Sequence, residues 1–179
     1  MSHVSDASIE QLESLIREIP DFPKPGILFK DITPLLADAA GLSLAVELMA
    51  NPFRRSHIDL VVGAESRGFI FGIAVAQALN AGFVPVRKPG KLPHQRMSKT
   101  YALEYGEDTL EMHADALSGN HRVLMVDDLL ATGGTMKACC DLVTELGGNI
   151  VGISVLIELG FLNGREKLAP HRLEAVLKY

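Results

Sequence analysis

Val123-Leu124-Met125-Val126-Asp127-Asp128-Leu129-Leu130-Ala131-Thr132-Gly133-Gly134-Thr135 carries more architectural information than any other part of this chain. Its first four residues form an apolar run, short enough for a strand buried on both faces. Two acids end the run and a small-residue loop follows. Met136 to Leu146 then reads as a helix, with Gly147-Gly148 at its C-terminal end. A buried strand, a loop and a helix in that order are the front of a βαβ unit. Ligands of open α/β sheets bind at the carboxyl ends of the strands, where this loop falls.

The pattern recurs upstream and downstream. Leu60-Val61-Val62-Gly63 is a strand, Ala64-Glu65-Ser66-Arg67-Gly68 a loop, and Phe69 to Leu79 a helix stopped by Asn80-Ala81-Gly82. Phe83-Val84-Pro85-Val86 is a further strand, whose proline suggests a sheet edge or a strand end. Ile150 to Ile157 is a fourth core strand. Between them, residues 88–100 read as a long polar stretch, and Tyr101–Tyr105 and Thr109–His113 flank Gly106-Glu107-Asp108 as a hairpin. At the start, Ser5 to Ile19 has the spacing of an amphipathic helix. Asp21 to Gly26 is a loop, Ile27 to Asp31 is extended and closed by Thr33-Pro34, and residues 41–50 form a helix ended by Asn51-Pro52. The tail to Tyr179 is mixed. The expected class is α/β, with a mainly parallel sheet flanked by helices in one domain over residues 1–179.

Composition narrows the function. With 179 residues, 47% hydrophobic and 22% charged, the chain can bury a sizeable core. The net charge of −5 argues against duplex nucleic acid. An acidic protein holds an anionic ligand only through a local cluster of basic groups and backbone amides. The two cysteines, Cys139 and Cys140, are adjacent, so they make no disulfide framework. No apolar run approaches the roughly 18 residues of a membrane span, and a cytoplasmic location is expected.

The loop chemistry suits a phosphate monoester. Gly133 and Gly134 let backbone N–H groups close around phosphate oxygens, Thr132 and Thr135 add hydroxyls, and the following helix adds its free amides. No GxxxxGK[ST] is present, which excludes a nucleoside-triphosphate P-loop, and no GxGxxG follows a strand. Asp127 and Asp128 would repel a bare phosphate. They make sense beside ribose hydroxyls or a hydrated Mg²⁺.

This segment resembles the phosphoribosyl pyrophosphate (PRPP) signature of the type I phosphoribosyltransferases, and its VDDLLATGGT wording is that of the adenine-specific members. Four further segments are similar to that family in the same order. Phe22 to Pro34 resembles its N-terminal base-binding segment, and Glu65-Ser66-Arg67-Gly68-Phe69 its pyrophosphate loop. Arg87 to Pro93 with Tyr101 to Gly106 resembles its flexible-loop region, and Gly164 to Leu168 its C-terminal segment. The resemblance covers nearly the whole chain. It implies the type I fold, with a small N-terminal hood over about residues 1–35 and a flexible loop or hairpin.

The resemblance also implies a reaction and a site. Adenine and PRPP would give AMP and pyrophosphate, in purine salvage. Asp127, Asp128, Ala131, Thr132, Gly133, Gly134 and Thr135 would hold the phosphate and ribose. Glu65, Ser66, Arg67, Arg87, Lys88 and Lys91 would hold the pyrophosphate with Mg²⁺, which would come with PRPP and water near Asp127 and Asp128 rather than sit on protein ligands. In the family the Glu65-Ser66 turn carries a cis peptide. Main-chain groups of Leu28, Phe29 and Lys30 would read adenine, with Phe29 stacking on the base and Leu129 able to cover its other face. Glu104 is the candidate proton handler, as acid or base, and Tyr105 would orient the loop or a hydroxyl. Part of the basic surface can come from a partner subunit, so a homodimer is expected. Two alternatives remain: a 6-oxopurine (xanthine or hypoxanthine) phosphoribosyltransferase, and a PRPP-sensing binding protein. A PRPP synthase would need a longer chain. His94, His113 and His121 read as surface residues.

Overall fold

The computed structural model describes residues 6–102 and 106–179, which form two compact units. The first runs to Leu48 and the second from Met49 to Tyr179.

In the first unit, helix α1 spans Asp6–Ser14 and buries Leu12. It ends five residues earlier than helical spacing suggests. Arg17–Pro20 (β1) is instead a strand, paired antiparallel with Leu28–Asp31 (β2). Cross-strand pairing outweighs helical periodicity here. Lys30 is buried and its ammonium meets Glu18 directly opposite, while Arg17 lies 3.7 Å from its partner Asp31. Thr33-Pro34 does not merely close the extended segment. It starts helix α2 (Thr33–Ala37), with Pro34 in the first turn, where its missing N–H costs nothing. The Asp31 carboxylate accepts the Thr33 N–H at 2.9 Å and the Thr33 hydroxyl at 2.6 Å. Helix α3 follows at Ala39–Ala50.

The second unit is built on a five-stranded sheet of β3 (Leu60–Ala64), β4 (Gly82–Val86), β7 (Arg122–Leu130), β8 (Asn149–Glu158) and β9 (Leu173–Lys178). Their order is β4-β3-β7-β8-β9 and every pairing is parallel. Pro85 lies on edge strand β4, as its sequence suggests. Strand β9 is an addition: its Leu173 and Leu177 are buried, but the intervening residues are only half-covered, so no continuous apolar run marks it. Helix α4 (Arg67–Leu79) packs on β3 and β7. Helix α5 (Gly134–Glu145) packs on β7, β8 and the hairpin of β5 (Arg96–Ala102) and β6 (Glu107–His113).

Alternation along the strands divides the core. Val62, Val123, Met125, Ile153 and Val155 join Leu142 and Val143 of α5 and Leu110 and Met112 of β6. The alternate residues Val61, Leu124 and Val126 are fully buried too, as are Phe71 and Val75 of α4. The hairpin is longer than expected. Its first arm begins at Arg96, inside the stretch read as polar loop, because Met97 and Tyr101 alternate onto the core while Arg96, Ser98 and Thr100 face out.

Phe53 is fully buried and fills the space beside Gly152 of β8, while the Arg172 guanidinium stacks 4.8 Å from its ring. Phe53→Ala is expected to cost about 3–5 kcal/mol, measured by urea denaturation. A loss below about 1 kcal/mol would show that this contact does not hold β8 and β9 in place.

Candidate active site

Strands β3 and β7 are neighbours, yet the chain leaves them in opposite directions: α4 leads to β4 on one side and α5 to β8 on the other. That is a topological switch point, where the loops at the carboxyl ends of the strands part to form a crevice. A cleft of about 260 Å³ lies there, lined by Ala64, Glu65, Ser66, Arg67 and the unbroken run from Asp127 to Met136.

Both helices that follow these strands begin in the cleft. The residues capping α4 and α5, Ser66 and Gly133, make no side-chain capping hydrogen bond, and neither first turn contains an acid. Two sets of first-turn amides and two positive dipole ends therefore face the same space. Gly133 adopts φ +80°, and a Cβ there would stand 2.5 Å from the Gly164 carbonyl oxygen. The reverse contact is as close: a Cβ on Gly164 would collide with the Ala131 carbonyl oxygen. The segment after β8 thus sets the shape of the loop from behind, a role for Gly164 that spacing alone does not reveal.

Asp127 and Asp128 do not follow the strand but belong to β7, which runs on through Leu130. Asp128 is buried, and its Oδ2 lies 3.0 Å from Arg67 Nε without an aligned hydrogen bond; among the described residues that oxygen has no hydrogen-bond partner. Asp127 Oδ1 accepts the Asp128 N–H at 2.9 Å. Burial, and then the charge of Asp128, push the Asp127 carboxyl well up. Burial also raises Asp128, against the pull of Arg67. A buried carboxylate oxygen with an ion-pair partner but no aligned donor, beside a half-buried carboxylate, suits a pair of sugar hydroxyls or one face of a hydrated Mg²⁺.

The Glu65–Ser66 peptide is cis. Glu65 accepts Arg87 Nε at 2.9 Å and Lys91 Nζ at 2.8 Å. Burial opposes its ionisation, but these two cations together hold its carboxyl below the usual range. Arg87 and Lys91 therefore converge on a residue of the cleft wall. Lys88 bonds Glu65 through its backbone N–H, while its ammonium pairs with Asp108 of the hairpin. The Tyr101 hydroxyl joins that pair to the phosphate-type loop, 3.3 Å from Asp108 Oδ2 and 3.2 Å from Thr135 Oγ1. Leu129 lines the cleft, whereas Leu28, Phe29 and Lys30 lie in the first unit. Phe29 is half-buried there and stacks edge-on against Phe22 at 5.1 Å. Glu104 and Tyr105 fall outside the described residues. His113 is not a plain surface group: it is half-buried, with its Nε2 shielded.

Residues 32–175 match the phosphoribosyl transferase domain. The chain belongs to the phosphoribosyl transferase family. An adenine phosphoribosyltransferase of Koribacter versatilis is 56% identical over 170 residues, 95% of this chain and 93% of that protein. The crystal structure of adenine phosphoribosyltransferase from Thermoanaerobacter pseudethanolicus superposes with a TM-score of 0.93 at 50% identity, covering 96% of this chain and 99% of that one. The enzyme from Saccharomyces cerevisiae, solved with adenine and an imino-altritol bisphosphate, has a TM-score of 0.91 at 37% identity, covering 97% and 100%. Membership of the phosphoribosyl transferase family makes this chain an enzyme of the type I fold, and the cleft between β3 and β7 is the site its geometry offers.

The raised Asp127 carboxyl has a consequence for stability. A carboxyl whose folded-state pKa is raised costs folded stability above that pKa and nothing below its unfolded value of about 4. Asp127→Asn keeps an acceptor for the Asp128 N–H and removes the charge. Its Tm is expected to exceed that of the parent at pH 8, with the gap closing as pH falls toward 4. Thermal melts across that range check this; a constant gap, or a lower Tm at pH 8, would contradict it.

Proposed function

We propose that this chain transfers the 5-phosphoribosyl group of PRPP to N9 of adenine, giving AMP and pyrophosphate. The observation that carries the reading is the cleft with two uncapped helix N-termini on either side of an acid pair. One end suits a phosphate monoester, the middle a ribose, and the other end a pyrophosphate. The adenine-forming relatives and the S. cerevisiae complex with adenine support the choice of base.

In this proposal the amides of Ala131 to Thr135, with the Thr132 and Thr135 hydroxyls, hold the 5′-phosphate. Asp127 and Asp128 accept hydrogen bonds from the 2′ and 3′ hydroxyls. Ser66 and Arg67, with the first turn of α4, face the pyrophosphate, and Arg87 and Lys91 move from Glu65 onto it. Lys88 serves from its ion pair with Asp108 of the hairpin. The purine N9 attacks C1 with inversion as the pyrophosphate leaves, through a transition state with oxocarbenium character. The protein positions the reactants and excludes water. Mg²⁺ would come with PRPP and water near the Asp127–Asp128 pair, whose buried carboxylate oxygen suits one face of a hydrated ion. Its chemistry is to neutralise charge developing on the leaving group. Glu104 moves a proton on the purine or on the leaving oxygen, and Tyr105 orients the loop. The extended main chain of Leu28, Phe29 and Lys30 reads adenine: a carbonyl acceptor meets its N6 donor and repels the oxygen of a 6-oxopurine.

The two units are read as parts of one catalytic domain, with about residues 1–35 as the hood segment. A homodimer and a place in purine salvage in the cytoplasm complete the proposal. No helix among the described residues is long and apolar enough to cross a membrane, and the buried Cys139 and Cys140 are free thiols.

AMP formation from PRPP and Mg²⁺, with adenine, hypoxanthine, guanine and xanthine in parallel, tests the reading. Adenine should be preferred by up to about 10⁴-fold, the scale of a buried polar mismatch. Turnover on a 6-oxopurine would overturn the base assignment. PRPP binding without turnover on any base would favour a sensor. Asp128→Ala is expected to raise the KM for PRPP by about 10- to 100-fold, the scale of a lost charge-assisted hydrogen bond. Glu104→Ala should lower kcat by about 10²- to 10⁴-fold with little change in PRPP binding. A Glu104 variant with normal turnover would remove that residue from the mechanism.

A further inference from the structure

Glu111 is a buried carboxylate with no part in the reaction described above. It lies on β6 at 5% exposure, although a strand facing a core on one side should turn this position to solvent. Segment 87–96 covers it. The main chain of Glu111 exchanges two hydrogen bonds with that of Arg87: Arg87 N–H donates to Glu111 O at 2.9 Å, and Glu111 N–H to Arg87 O at 2.7 Å. Its side chain takes hold of the same segment three residues on. Oε2 accepts the Gly90 N–H at 3.1 Å, with Gly90 at φ +80° turning that amide inward. Oε1 accepts Arg96 Nε at 2.9 Å and the Ser98 hydroxyl at 3.3 Å, both on the other arm of the hairpin. Burial opposes ionisation of Glu111, yet the Gly90 amide and the Arg96 guanidinium hold its carboxyl below the usual range.

One residue therefore grips both ends of the turn that presents Arg87, Lys88 and Lys91. The turn carries three cations that would drive one another apart. Two of them reach Glu65 in the cleft wall. A buried, ionised clamp on the Gly90 amide fixes the turn, with its own charge paired to Arg96 of the hairpin.

We propose that Glu111 is a positioning residue for pyrophosphate, acting through the 87–91 turn. This rests on the reading of Arg87 and Lys91 as pyrophosphate anchors. Truncating Glu111 loosens the turn and weakens the hold on the pyrophosphate half of PRPP and on pyrophosphate itself. The adenine half of the reaction is left alone.

Steady-state kinetics with pyrophosphate as product inhibitor test this. Glu111→Ala should raise both the KM for PRPP and the inhibition constant of pyrophosphate about tenfold, the scale of losing a charge-assisted bond. The KM for adenine and kcat should change less than about twofold, since only ground-state binding through the turn is altered. Glu111→Asp keeps the charge but cannot reach Gly90, and should show the same rises in both constants, so it carries the test where Glu111→Ala does not fold. Glu111→Gln keeps the reach and should lose less. In an Arg87→Ala/Lys91→Ala background, Glu111→Ala should add less than about twofold, because the anchors through which it acts are already gone. A full additional loss in that background, or a fall in kcat with both KM values unchanged, would overturn the proposal. If Arg87→Ala and Lys91→Ala leave PRPP and pyrophosphate binding unchanged, the anchor reading fails and Glu111 falls with it. If those two weaken binding while Glu111→Ala and Glu111→Asp do not, the clamp alone is wrong.

Discussion

The uncapped first turns of α4 and α5 opening into one cleft are the interaction on which the rest of this structure depends. A protein of net charge −5 has no global field to attract a ligand with several negative charges. Main-chain amides resolve that conflict. They add positive potential at a point without adding net charge, and they do so where two neighbouring parallel strands send their chains apart. The parallel sheet is thus the device that brings two helix N-termini within reach of one small ligand.

The remaining features of the cleft follow from making those amides accessible. Gly133 takes a left-handed conformation and Gly164 presses on it, so the loop is held by backbone contact rather than by side chains that would fill the space. The acid pair between the two amide sets is held in tension: burial favours protons on both carboxyls, the charge of Asp128 adds to this for Asp127, and Arg67 opposes it. Strain of this kind is typical of groups placed for a ligand rather than for the fold. Around the cleft the basic residues rest on acids, Arg87 and Lys91 on Glu65 and Lys88 on Asp108, which keeps like charges apart.

Much of this was legible in the sequence because it is local. Four of the five sheet strands, both helices of the site and the glycine loop show themselves as short apolar runs bounded by turn residues. The edge position of β4 follows from Pro85. What was not legible is what depends on partners distant in the chain. Arg17–Pro20 continues a helical pattern and becomes a strand only because Leu28–Asp31 folds back on it. Strand β9 has two buried leucines and no continuous run, so only its pairing with β8 defines it. Lys88 is one of a basic cluster in sequence, and its turn toward Asp108 arises from the hairpin. Glu111 looks like the solvent side of an alternating strand, and the segment that covers it begins more than 20 residues earlier, at Arg87. The resemblance named the cleft residues but not the contacts that hold them.

The central claim is that the cleft has two anion-binding ends separated by an acid pair. Calorimetric titration of ribose 5-phosphate in the presence and absence of saturating Mg²⁺ and pyrophosphate tests it most directly. We expect the two ligands to bind together, with ribose 5-phosphate affinity retained or improved when pyrophosphate is present. Mutual exclusion of the two would contradict a cleft with separate ends and reduce it to a single phosphate site.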